Sequence, residues 1–136
     1  MSPTIKNIAA VLAGFIGGSV VNMGIIIGGG EVIPPPPGAD VTSMASLKAS
    51  MHLFEMKHFV SPFLAHALGT LAGAYLAVMI ASSHQMKVAL GIGAFFLLGG
   101  TVNAFLLPAP TWFVVTDLAV AYLPMAWLGG KCTGKV

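Results

Sequence analysis

Four long apolar runs limit what this chain can become. A membrane-crossing helix needs roughly 20 mostly apolar residues, and such runs fall at about 7–29, 58–82, 87–107 and 111–130. Of the 136 residues only 7% are charged and 57% are hydrophobic, whereas a soluble domain carries about a quarter charged residues. The expected fold class is all-α: a polytopic integral membrane protein, a single four-helix transmembrane domain over residues 1–136 in contact with membrane lipid. The first run follows Lys6 as the apolar region of a signal peptide would. It exceeds the roughly 7 to 15 apolar residues of such peptides and shows no clear A-x-A site near its end, so it is expected to be retained as a span.

Six lysines, no arginine and four acidic residues leave a formal charge of +2, too small and scattered for a nucleic-acid surface. With both termini on the cytoplasmic side of a cell (inner) membrane, Lys6, Lys87, Lys131 and Lys135 lie inside, while Lys48 and Lys57 lie outside among Glu31, Asp40 and Glu55. This N-in, C-in orientation is the one the positive-inside rule favours. Cys132, in the tail, is the only cysteine, so no internal disulfide can form.

The one long connection follows span one and begins "GGGEVIPPPPGAD". Four successive prolines fix φ and lack N–H donors, which predicts an extended polyproline II strut. Beyond it Asp40 can cap a helix on which Met44, Leu47, Met51 and Phe54 form an apolar stripe. An interfacial amphipathic helix is expected at about 41–57, leading into span two. The short links "SSHQMK" and "LPAPT" make spans two and three, and three and four, antiparallel hairpins. No internal repeat is visible, so any symmetry must come from copies of the chain.

Span two carries Ala65, Gly69, Gly73, Ala77 and Ala81 at four-residue intervals, and span one pairs Gly14 with Gly18 and Gly24 with Gly28. Small residues let helix backbones approach closely in lipid. Such seams can join spans one and two within a chain or join two copies.

Ionisable groups inside spans are costly and usually face protein or water. His66 and Asp117 lie well inside spans, with Asn22 and Asn103 as neutral companions, and all four fall at similar depth in the outer half. They form the candidate binding residues, either around a hydrated cavity or as structural hydrogen bonds between helices. Pro62 and Pro124 add to the cavity reading, because each removes a helical hydrogen bond and frees the carbonyl of His58 or Val120.

A second constellation precedes span two. On an ideal helix His52, Glu55, His58 and His66 share a face about 120° wide. Glu55 and His58 form an E-x-x-H pair, a spacing that can share a metal ion in di-iron bundles, with His52 a turn earlier. The pair occurs once, without the further carboxylates of such sites, and a solvated face at headgroup level is the plainer reading. Glu55 and His66 are roughly 16 Å apart along such a helix, so one ion cannot touch both. Haem needs two histidines at matching depth, which only a symmetric dimer would supply. No catalytic residue is identified, since no nucleophile and base form a recognisable motif.

Three functions fit these features. The first is a small oligomeric transporter or channel-like protein with a polar intramembrane site for a cation, proton or small polar solute. The second is a non-catalytic accessory subunit of a larger membrane complex, docked through its glycine seams and proline strut. The third is a metal- or haem-binding membrane enzyme subunit.

Overall fold

Ser2 and Pro3 start the first helix, which a computed structural model of residues 1–136 carries further than the apolar run requires. The Ser2 hydroxyl accepts the Ile5 N–H at 3.2 Å, and proline at the first position has no donor to leave unpaired. Helix α1 then runs over Pro3–Val32. It is followed by α2 (Met44–Ser50), α3 (Val60–Ile80), α4 (Gln85–Leu106), α5 (Thr111–Val120) and α6 (Leu123–Cys132), with no strands. Taken with the 3-10 turn at Met56–Phe59 that leads into α3, and with α5 and α6 as one path, four helices are long and apolar enough to cross a membrane.

The four run alternately up and down the bundle. At one end the Asn7 amide donates to the Ser83 carbonyl at 3.2 Å and hydroxyl at 3.0 Å, and its oxygen accepts the Ser82 N–H at 3.1 Å. Lys135 Nζ donates to the Met79 carbonyl at that same end. Both termini and the α3–α4 turn therefore gather there, and Lys6, Lys87, Lys131 and Lys135 with them. We call this the lysine end. The opposite, capped end holds the α1–α3 connection and the α4–α5 turn, where Phe59 packs on Phe113 with ring centroids 4.7 Å apart.

Helix α3 is the axis of the bundle, packing on α1, α4 and α6. Its most extensive contact is with α1, along the small-residue seam. A Cβ added to Gly14 would stand 2.6 Å from the Gly73 carbonyl oxygen, one on Gly73 would stand 2.6 Å from that of Gly14, and one on Gly18 2.7 Å from that of Gly69. The seam thus works within the chain. Gly24 and Gly28 have nothing within 4 Å of such a Cβ and take no part in it. Near the lysine end the core is made almost wholly of alanine with Val78, Val88 and Ile92, while the capped end is built on Met51, Phe59 and Phe113.

The long connection departs from expectation in three places. The prolines stay extended only as far as Pro36, which is buried; Pro37 and Gly38 then make a turn closed by the Ala39 N–H on the Pro36 carbonyl at 3.0 Å. Gly38 has φ +84°, the value that a type II turn demands after proline. Ser43, not Asp40, caps α2, accepting the Ser46 N–H at 3.1 Å. Asp40 instead accepts the hydroxyl and N–H of Thr42 at 2.6 and 2.9 Å, which holds its carboxyl below the usual range. Third, the interfacial helix is broken rather than continuous over 41–57: α2 ends at Ser50, a 3-10 turn covers Met51–Leu53, and Phe54 and Glu55 are extended. The apolar stripe survives the break, because Leu47, Met51 and Phe54 still pack on Phe59 and Phe113.

Candidate functional site

Asp117 sits one turn before the end of α5 and is only 4% exposed. Both of its oxygens are engaged. Oδ1 lies 2.8 Å from His66 Nδ1 on α3, and Oδ2 accepts the Tyr122 hydroxyl at 3.1 Å. The Tyr122 ring also stacks on the His66 imidazole, with centroids 5.7 Å apart and planes at 26°.

Proline makes this triangle. In an unbroken helix residues four apart share a face, and Tyr122 is five residues after Asp117. Pro124 cannot donate to the Val120 carbonyl, so α5 stops at Val120 and α6 restarts at Leu123. The intervening Ala121 and Tyr122 turn the phenol back over Asp117, and Tyr122 is left 3% exposed. Sequence reasoning missed Tyr122. Its signal was a polar-tipped aromatic two residues before a proline that must interrupt the helix. Pro62, by contrast, falls in the first turn of α3, where helices tolerate proline without a break, and it lines a cavity beside His66.

A carboxylate can only accept hydrogen bonds. With Asp117 ionised, the proton between the pair rests on Nδ1, and a neutral His66 presents Nε2 as an acceptor. Nε2 has no partner in the protein, and the His66 side chain is 23% exposed.

Two cavities meet at this histidine. The larger, about 530 Å³, lies between α1, α3 and α4 with Asn22, His66, Thr70, Phe96, Asn103 and Tyr122 on its walls. Its α4 wall includes Phe95, Leu98 and Val102, which are 55%, 64% and 49% exposed on the outside of the bundle. The smaller, about 210 Å³, lies under the capped end among Met51, Phe54, Phe59 and Phe113, and reaches Asp117. His66, Gly100 and Asn103 border both.

Each of the four polar residues singled out from the sequence thus lines one or both of these cavities, but only His66 and Asp117 bond to each other. Asn103 does not bond to Asp117 across its hairpin and His66 caps no carbonyl; Asp117 is held by His66 and Tyr122 instead. The side-chain amides of Asn22 and Asn103 join none of the hydrogen bonds that link helices, and no fully buried side-chain polar atom lacks a partner. Those amides are available to something in the cavity.

The His52, Glu55 and His58 constellation does not share one helix face, because the chain is extended at Phe54 and Glu55. Glu55 and His58 form a capping box for the 3-10 turn, with the Glu55 N–H donating to His58 Nδ1 at 2.8 Å. His58 is buried rather than solvated, while His52 and Glu55 are exposed. The E-x-x-H spacing here satisfies backbone donors, and no three His, Cys, Asp or Glu side chains gather closely enough to hold one metal ion. Compared with protein-family models, curated proteins and solved structures, the chain matches none.

Proposed function

We propose that this is an integral membrane protein, oriented N-in and C-in in a cell (inner) membrane, that carries a proton or a small polar solute through a site at His66 and Asp117. It would act as a small transporter or channel-like protein, with copies of the chain associating through their lipid-facing helices. The observation that carries this reading is the Tyr122–Asp117–His66 chain ending in an unpartnered Nε2 on a cavity wall. Carboxylate and phenol fix the imidazole in place and leave Nε2 as the ring nitrogen that a proton or a polar cargo would meet. A metal cation fits less well, because both Asp117 oxygens already have partners. The amides of Asn22 and Asn103 supply donors and acceptors for a neutral polar cargo.

Reconstituted vesicles test this. Wild-type protein should raise the flux of protons or of at least one small polar solute above that of empty liposomes, and His66→Gln should remove the gain, since glutamine can hydrogen-bond but cannot titrate. No flux above liposomes across a panel of cations, anions and polar solutes would rule the reading out. The accessory-subunit reading then takes its place. It draws on Gly24 and Gly28, whose face of α1 is open for another helix.

A further inference from the structure

The two cavities that meet at His66 differ in character, and the difference bears on what the site holds. The larger has Asn22, Asn103, Ser19 and the 99%-buried Thr70 around His66, with Phe95 and Phe96 as aromatic walls. The smaller is lined mainly by apolar side chains, contributed by the cap (Leu47, Met51, Phe54) and by Phe59 and Phe113. A ligand held at His66 can therefore put a polar group toward the asparagines and an apolar body beneath the cap. The larger cavity lies within the roughly 300–1,000 Å³ of small-molecule sites.

We infer that the ligand of this site is a neutral amphipathic molecule with a ring-borne hydroxyl, of the alkylphenol class, admitted from the lipid phase between α1 and α4. This rests on the reading of His66 and Asp117 as a binding site and names its ligand class. Four features select that chemistry. Nδ1 is taken up by Asp117, so Nε2 is the ring nitrogen left for a ligand, and with the proton on Nδ1 it is an acceptor that calls for an O–H donor. The phenolic oxygen can in turn accept from the Asn22 or Asn103 amide. Phe95, Phe96 and the His66–Tyr122 stack favour a ring over a branched aliphatic head. Leu98 and Val102 both line the cavity and are exposed on the bundle's outside, an apolar rim that such a molecule crosses without losing hydration. A highly charged solute would meet no counter-charge on the walls beyond the already paired His66 and Asp117.

The test uses the full chain in lipid nanodiscs and a diazirine-bearing alkylphenol, with labelled peptides identified by mass spectrometry. Labelling should fall on the cavity walls around Asn22, Phe96 and Asn103. It should be competed by para-hexylphenol about five- to ten-fold better than by hexylbenzene, the effect of one hydrogen bond, and better than by phenol, which lacks the tail. In His66→Phe the preference for hexylphenol over hexylbenzene should vanish while Asn7→Ala, at the lysine end, keeps it. Equal competition by the two in the wild type overturns the inference, as do labels confined to outward residues such as Leu12 and Ile16. A cross-linked second chain in place of labelled walls overturns it too. If the phenol preference is absent while Asp117-dependent flux of another solute persists, the ligand class is wrong and the site stands; if both are absent, the site reading falls as well.

Discussion

The lysine end and the capped end of the bundle are built from the same helices and to opposite effect. Near the lysine end, Gly14, Gly73, Ala77 and Ile92 bring α1, α3 and α4 together, and Gly93, Gly129 and Gly130 let α6 close on them with backbone nearly touching backbone. Toward the capped end the side chains are large. Phe96 and Tyr122 are walls of the cavity, and space remains around His66. Small residues pay for closeness with little buried area per side chain, so dispersion across a tight seam must hold one half. The other half trades that contact for room and for polar groups. The lesson is that a glycine marks close packing only where another backbone faces it, as at Gly14, Gly18, Gly69 and Gly73, and not at Gly24 or Gly28.

The largest effect is expected at the seam. Gly14→Leu and Gly73→Leu each drive a side chain into a carbonyl 2.6 Å away on a backbone that has no alternative position, at a cost of about 3 kcal/mol, the upper part of the range for overpacking. Gly24→Leu, on the same helix with nothing within 4 Å, should stay within about 0.5 kcal/mol of wild type. Thermal unfolding in detergent compares them. Equal losses at Gly14 and Gly24 would break the contrast between a packed and an open face of α1.

Next comes the site. Asp117→Ala strands the Tyr122 hydroxyl and His66 Nδ1 in a buried place, which should cost about 2 kcal/mol or more. Tyr122→Phe removes one bond and should cost about 1 kcal/mol. If Tyr122→Phe proved as damaging as Asp117→Ala, the phenol would be holding the α5–α6 break rather than the carboxylate.

The smallest effect belongs to the cap. Thr42 holds the Asp40 carboxyl below its ordinary range, and a depressed folded value means stabilisation that is present above the unfolded value near 3.9 and lost as pH falls through the folded one. Asp40→Asn should therefore differ slightly from wild type at neutral pH and converge with it in acid. A gap that widened in acid would contradict the Thr42 contacts.

Much of this was legible in the residues. The apolar runs placed the four long helices, although α1 extends to Pro3 and Val32 because Ser2 and Pro3 start a helix that apolar content alone does not report. Four-residue spacing found the seam but not its ends: it treats Gly24 like Gly14, and nothing in it distinguishes a facing glycine from open space. Ala77 shows the same limit, since it looks like a mild position by size and is wholly buried against Gly14. Depth grouped Asn22, His66, Asn103 and Asp117, but which pairs touch depends on helix rotation, and that is set by packing across the whole bundle. The break that delivers Tyr122 was implicit in Pro124, whereas the break at Phe54 and Glu55 was hidden because the apolar stripe continues through it at helical spacing.

The claim that the open half acts while the closed half holds is tested most directly by one paired measurement on Asp117→Asn, with unfolding temperature and vesicle flux taken from the same preparation. Asparagine keeps the shape and one carbonyl acceptor for His66 or Tyr122 but cannot ionise. Flux should be lost while stability falls by no more than about 1 kcal/mol. Flux at the wild-type level, or a loss of stability as large as that of Gly14→Leu, would contradict it.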